Sequence, residues 1–267
     1  FYLRVLPDSL RTSGAVEAVH NVATGNFLSI TNLTVSFDGF KAVDELNFSV
    51  DEGELRVVIG PNGAGKTTLL DMICGKTKPT NGTIKFRDLE LTQMIEYQIN
   101  RAGVGRKFQT PSIYEDLTVL ENLEISYPEK RSVIGSLFFK RTAEITEKIE
   151  TVAAQIFLTE ELGTKAGLLS HGQKQWLEIG LCLMQDPELL LLDEPVAGMS
   201  AREREQTAEL LKSVSAGRSL VLIEHDMVFV ELIAQTVTVL HQGKLLAEGS
   251  MQEVQSDERV IEVYLGN

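Results

Sequence analysis

Gly60-Pro61-Asn62-Gly63-Ala64-Gly65-Lys66-Thr67 matches every fixed position of the G-x-x-x-x-G-K-[ST] phosphate loop, and Thr68 follows it into an apolar run. Glycines let backbone N–H groups curl around an anion, and the N-terminus of a following helix adds a favourable dipole. On that pattern Lys66 reaches the β- and γ-phosphates of a nucleoside triphosphate. The Thr67 hydroxyl takes a place on Mg²⁺, whose octahedral shell is otherwise filled by water and phosphate oxygens. A second pattern lies downstream, where Leu189-Leu190-Leu191-Leu192 runs into Asp193-Glu194. A buried strand would deliver both acids to its carboxyl end, the edge at which open α/β sheets place ligands. Asp193 then holds the metal, directly or through water. Glu194, not committed to a cation, is free to polarise an attacking water. By itself such a run also describes a core strand ending in a solvated turn; the phosphate loop upstream favours the chemical role.

These residues need elements to hold them. Leu55-Arg56-Val57-Val58-Ile59 reads as a strand before the phosphate loop and 68–74 as the helix after it. Leu28–Phe37 and 42–50 read as short strands joined by a turn at Asp38-Gly39, and Pro79-Thr80-Asn81-Gly82 turns into a strand at 83–86. Residues 118–186 are mainly helical in pattern, interrupted at Pro128 and at 163–167. After Pro187 the runs 189–192, 220–223 and 236–240 alternate with helical stretches, which predicts a largely parallel sheet covered on both faces. Leu169-Ser170-His171-Gly172-Gln173 opens one of the helices, with Ser170 as N-cap and Gln173 as its capping-box partner.

Composition bounds the rest. The chain has 267 residues, 43% hydrophobic and 24% charged, enough for one large domain or a core with a subdomain. Its net charge of −13 disfavours attraction to a nucleic-acid backbone, so no nucleic-acid partner is expected and any triphosphate site must be made locally, by Lys66 and backbone amides. Cys74 and Cys182 have no metal-ligand spacing and read as reduced core thiols of a cytosolic protein. No apolar run approaches the roughly 18 residues that span a bilayer. Residues 1–25 do not read as a secretory signal. The chain begins on Phe1 rather than methionine, which suggests an incomplete or processed N-terminus, and 1–26 is read as a tail without an assigned role.

Leu169-Ser170-His171-Gly172-Gln173 also resembles the signature motif of the ATP-binding-cassette (ABC) ATPases, in that family's order between the phosphate loop and the LLLLDE run. His171 stands where the family usually has a second glycine. The resemblance covers 28–266 and implies several roles residue by residue. Phe37 would stack on adenine, where the family most often has Tyr. Gln109, in Lys107-Phe108-Gln109-Thr110-Pro111, would ligate Mg²⁺, and His225, in Leu222-Ile223-Glu224-His225-Asp226, would contact the γ-phosphate. Ser170, Gly172 and Gln173 would complete the ATP site of a partner ATPase subunit, identical or related. Ser200 occupies a position where the family usually carries Asp, which leaves communication between subunits through that loop to a hydroxyl or to backbone contacts.

The architecture implied is a RecA-like P-loop NTPase core with an antiparallel β subdomain and a helical subdomain. Residues 27–109 and 186–267 would form the core, and 110–185 the helical part. Within the family, Thr118-Val119-Leu120-Glu121-Asn122-Leu123, the run from His171 to Ile179, Glu194-Pro195-Val196-Ala197-Gly198-Met199 and the ending from Val260 to Gly266 resemble the importers of urea and of branched-chain amino acids, urea the more closely. That implies transmembrane permease subunits as partners, indirectly a solute-binding protein, and a peripheral place on the cytoplasmic side of the plasma membrane. Residues 130–141, basic at both ends and apolar between, are either an ordinary amphipathic helix or a segment near that contact. A soluble ABC ATPase unconnected with transport, and a nucleotide-binding regulator without activity, are the competing readings.

Overall fold

Continuous apolar runs bounded by turn residues form strands that can be buried on both faces, and three such runs make the centre of this molecule. In the computed structural model, which describes residues 27–107, 113–128 and 141–265, every residue of β3 (Leu55–Ile59), β7 (Leu189–Asp193) and β8 (Ser219–Ile223) is buried. They belong to a six-stranded sheet of order β10-β9-β3-β8-β7-β6, completed by β6 (Val104–Lys107), β9 (Thr236–His241) and β10 (Lys244–Gly249). All its pairings are parallel except the edge pair β9 and β10. Alternate residues face two separate cores: Val57, Leu190 and Leu222 lie in one, Val58, Leu191 and Val221 in the other. The expected sheet covered on both faces is therefore present.

The second sheet is antiparallel, of order β2-β1-β4-β5. It contains β1 (Leu28–Phe37), β2 (Phe40–Val50), β4 (Asn81–Phe86) and the two-residue β5 (Leu89–Glu90). β1 has the expected bounds, and β2 begins two residues before the expected strand because Phe40 and Lys41 pair with Phe37 and Ser36 across the turn. Helix α1 (Lys66–Ile73) follows β3, and α2 (Glu96–Arg101), which the sequence reading did not place, precedes β6.

The predicted helical stretch holds α3 (Val119–Ser126), α4 (Ala143–Gln155) and α5 (His171–Met184), packed on one another. Thr118 and Ser170 close capping boxes with Glu121 and Gln173, which fixes where α3 and α5 start. Beyond β7 come α6 (Ala201–Ser215), α7 (Met227–Ile233), α8 (Met251–Ser256) and α9 (Glu258–Leu265). The Trp176 indole of α5 donates to the Thr207 hydroxyl of α6 at 2.8 Å, so the helical layer is pinned to the layer under the sheet. Both cysteines are free and buried, as expected, and burial pushes the Cys182 thiol up to about 12. Among the described residues no helix is long and apolar enough to cross a membrane.

One ionic contact ties α5 to the sheet. Lys107, the last residue of β6, meets Glu178 of α5 at 3.2 Å, their side chains 2% and 5% exposed. Removing one member of a buried pair leaves the other charge uncompensated, so Glu178→Ala should cost about 3–5 kcal/mol in guanidinium unfolding, whereas the apolar pair Lys107→Met with Glu178→Leu should recover most of that loss.

Candidate active site

The loop after β3 is shaped by backbone contacts that only small residues permit. A Cβ on Gly60 would lie 2.2 Å from the Leu240 carbonyl oxygen, and Gly65, at φ 98, would place one 2.4 Å from that of Ala42. The Ala64 amide donates to the Pro61 carbonyl at 3.2 Å, and the Ala64 carbonyl accepts from Gly243 at 3.1 Å. Asn62 and Gly63 form the exposed crest, while Thr67 and Thr68 lie half-buried in the first turn of α1. The Lys66 ammonium folds back over the loop and donates to the carbonyls of Gly60 at 2.7 Å and Pro61 at 3.1 Å. Burial pushes the Lys66 ammonium below its ordinary value, against the pull of the Glu194 and Asp193 carboxylates.

Those two acids arrive from β7. Asp193 is its last residue, 1% exposed, and burial raises its carboxyl despite a hydrogen bond with the Thr67 hydroxyl and the positive Arg106 nearby. Glu194 turns out of the strand at φ 47, its amide donating to the Ile223 carbonyl of β8 at 3.0 Å. Its carboxylate lies 3.5 Å from His225 Nδ1, with 34% of the side chain exposed. The structure thus brings Lys66, Thr67, Asp193, Glu194 and His225 to one edge of the sheet. The hydroxyl and carboxylate of Thr67 and Asp193, already bonded to each other, are hard oxygen donors. Such a pair suits a small divalent cation that takes only one or two protein ligands.

Phe37 ends β1 beside the turn to Phe40; at 49% exposed it offers a free ring face rather than core packing. Gln109 lies outside the described residues, as do 130–140 and Gly266. Ser170, Gly172 and Gln173 sit together at the start of α5, against the loop that follows Glu194 rather than against the phosphate loop. The Ser170 hydroxyl accepts from the Gln173 amide at 3.2 Å, and Gln173 Oε1 accepts from the Ser170 amide at 2.9 Å. His171 Nε2 donates to the Ala197 carbonyl at 2.9 Å. Glu203 lies over Gly172, and the Ser200 hydroxyl accepts from the Glu203 amide at 3.4 Å, so Ser200 keeps the helix-capping role that an Asp would also fill.

Three contributors escaped the sequence reading. Arg106 of β6 reaches Asp71 at 2.6 Å and Asp193 at 3.8 Å, partners no local pattern announces. The phenol of Tyr264, raised by burial, takes a hydrogen bond from the Gly60 amide. Glu224 is 1% exposed beyond the end of β8; an acid after an apolar run, as at Asp193, was its available signal.

A family model described as ABC transporter matches residues 43–197, and one described as branched-chain amino acid ATP-binding cassette transporter matches 244–267. The chain belongs to the ABC transporter family and is one of its ATPases. It is 36% identical to the high-affinity branched-chain amino acid transport ATP-binding protein LivG of Escherichia coli (strain K12), over 90% of this chain and 97% of that relative. BraF of Pseudomonas aeruginosa, named for the same transport, is 34% identical over 90% and 97%. Among solved structures, a nucleotide-free ATP-binding cassette from an ABC transporter superposes with a TM-score of 0.81 at 32% identity, covering 91% of this chain and 100% of that one. A cassette in its ADP conformation gives 0.81 at 33%, with the same coverage. The expected family and fold accord with these likenesses.

The backbone of this ATPase's phosphate loop supplies a direct check. Gly65→Ala must adopt a left-handed conformation and relieve a contact of 2.4 Å with backbone, and should lose more than about 1 kcal/mol in thermal unfolding. Gly163→Ala, where nothing lies within 4 Å, should stay within about 0.5 kcal/mol of the parent.

Proposed function

We propose that this ABC ATPase hydrolyses Mg-ATP in a site shared between two ATPase subunits, and that it powers the import of urea through transmembrane permease subunits on the cytoplasmic face of the membrane. The observation that carries the chemistry is the meeting of Glu194 with His225 at 3.5 Å on the edge where Lys66 and Asp193 also lie. Lys66 exchanges the Gly60 and Pro61 carbonyls for the β- and γ-phosphates. Thr67, Asp193 and Gln109 hold Mg²⁺, which neutralises charge on the phosphate oxygens when bound. Residues 60–68 wrap the phosphates and Phe37 stacks on the adenine.

Glu194, the partly exposed acid, orients a water and takes one of its protons. The water oxygen bonds to the γ-phosphorus as the bond from that phosphorus to the β–γ bridging oxygen breaks. ADP leaves with the electron pair and inorganic phosphate is released. His225 contacts the γ-phosphate oxygens. Ser170, Gly172 and Gln173 of the opposing subunit close over the same phosphate with the amides of a helix N-terminus. ATP binds both subunits only when the pair is closed, so hydrolysis reopens it and that alternation moves the permease. The helical part, 110–185, is the side we assign to the permease.

Urea rests on the run Glu194-Pro195-Val196-Ala197-Gly198-Met199, while the run from His171 to Ile179 resembles both importer types. A second reading, branched-chain amino acids, is favoured by the names of LivG and BraF and by the family model at 244–267. Uptake by the reconstituted transporter separates the two. ATP-driven accumulation of labelled urea but not leucine is expected, with Glu194→Gln lowering ATP turnover by about 10²–10⁴-fold. Accumulation of leucine alone would transfer the assignment to branched-chain amino acids.

A further inference from the structure

Glu224 sits beneath the two groups assigned to hydrolysis and touches both of their loops. Its own amide donates to the Val58 carbonyl of β3 at 3.3 Å, which fixes it to the sheet beside the strand that carries the phosphate loop. Its carboxylate then reaches in two directions. Oε1 accepts from the Val196 amide at 3.3 Å, two residues beyond Glu194, and Oε2 accepts from the His225 amide at 3.1 Å. The Asp226 amide donates to it as well. A carboxylate buried to 1% exposure is costly unless several N–H groups satisfy it, and here those donors come from backbone on either side of the Glu194 and His225 pair.

Glu194 gives that clamp something to do. It holds φ 47, a left-handed conformation disfavoured for a residue with a side chain, which persists only where surrounding structure fixes it. Its amide is anchored to Ile223, the residue before Glu224, and the far side of its turn is anchored at Val196 by the Glu224 carboxylate. The same carboxylate holds the peptide from which the exposed His225 ring projects toward Glu194. Movement of either loop would open the 3.5 Å separation between them.

We propose that Glu224 is a positioning residue for ATP hydrolysis: its buried carboxylate clamps the Val196 and His225 amides and so sets the distance and orientation of Glu194 relative to His225. Buried to 1% exposure, it acts through those two amides. This inference rests on the assignment of Glu194 and His225 made above.

The test is steady-state ATPase kinetics with Mg-ATP binding by calorimetry on the full chain, at protein concentrations where the specific rate no longer rises. Misplacing a reacting group by about 1 Å can cost about 10²-fold, so Glu224→Ala should lower kcat by about 10–100-fold while KM and Mg-ATP affinity stay within about twofold. Glu224→Gln, which keeps the shape and one acceptor, should fall between the parent and the alanine variant. In a Glu194→Gln background, Glu224→Ala should bring no further loss, because the group it positions is already gone. Should the alanine variant fail to fold, the split between kcat and KM in Glu224→Gln decides. Parental kcat in the Glu224 variants, affinity lost in step with kcat, or losses that multiply in the double variant would each overturn the clamp. Glu194→Gln turning over at the parental rate would refute the underlying assignment and the clamp with it; an inactive Glu194→Gln beside a fully active Glu224→Ala refutes the clamp alone.

Discussion

The parallel register of β3, β8 and β7 is the constraint from which the rest of the site follows. Val58 is opposite Ile223, and Ile223 is opposite Asp193, so the three strands end level with one another. The residues just past those ends are the phosphate loop, Glu224-His225, and Glu194. Two backbone bonds carry the alignment beyond the strands: Glu194 to the Ile223 carbonyl and Glu224 to the Val58 carbonyl. A slip of one residue in either pairing would turn the side chains of a strand to the opposite core and separate these groups. The hydrophobic cores on the two faces oppose such a slip, so the burial of Leu190, Leu191, Val221 and Leu222 fixes the chemistry as well as the fold.

The edge concentrates charge at a place where burial resists it. Asp193 and Glu224 are both held above, and Lys66 below, the ordinary values of their groups, in each case chiefly through loss of solvent. What keeps the arrangement tolerable is local compensation: Thr67 and Arg106 at Asp193, backbone amides at Glu224, carbonyls at Lys66. In a chain of net charge −13, the proposed binding of a tetraanionic nucleotide calls for such a local assembly, with Lys66 and the loop amides at its centre. Ser170, Gly172 and Gln173 are tied instead to the neighbouring loop through His171 and Glu203, so Glu194 is one short loop away from the residues proposed to face a second subunit.

Much of this was legible where pattern and function coincide. Apolar runs ending in acids announced β7, the phosphate loop announced β3 and α1, and Ser170 with Gln173 announced the start of α5. What escaped depends on partners distant in sequence. β6 reads poorly because Val104-Gly105-Arg106-Lys107 carries two cations into a buried sheet, where Asp71, Asp193 and Glu178, from other elements, offset them. Glu224 shared the strand-end signal of Asp193, but its role rests on two amides that folding alone brings to it.

In the proposed mechanism each ATP is held by two subunits, with the phosphate loop, Asp193 and Glu194 from one and Ser170 from the other. A structure of the Glu194→Gln chain with Mg-ATP, alone or with the ATPase subunit it pairs with, addresses that claim most directly. Two subunits should enclose the nucleotide, Lys66 and Thr67 of one facing Ser170 and Gly172 of the other across the γ-phosphate. Mg-ATP held by a single chain, with Ser170 turned to solvent, would contradict it.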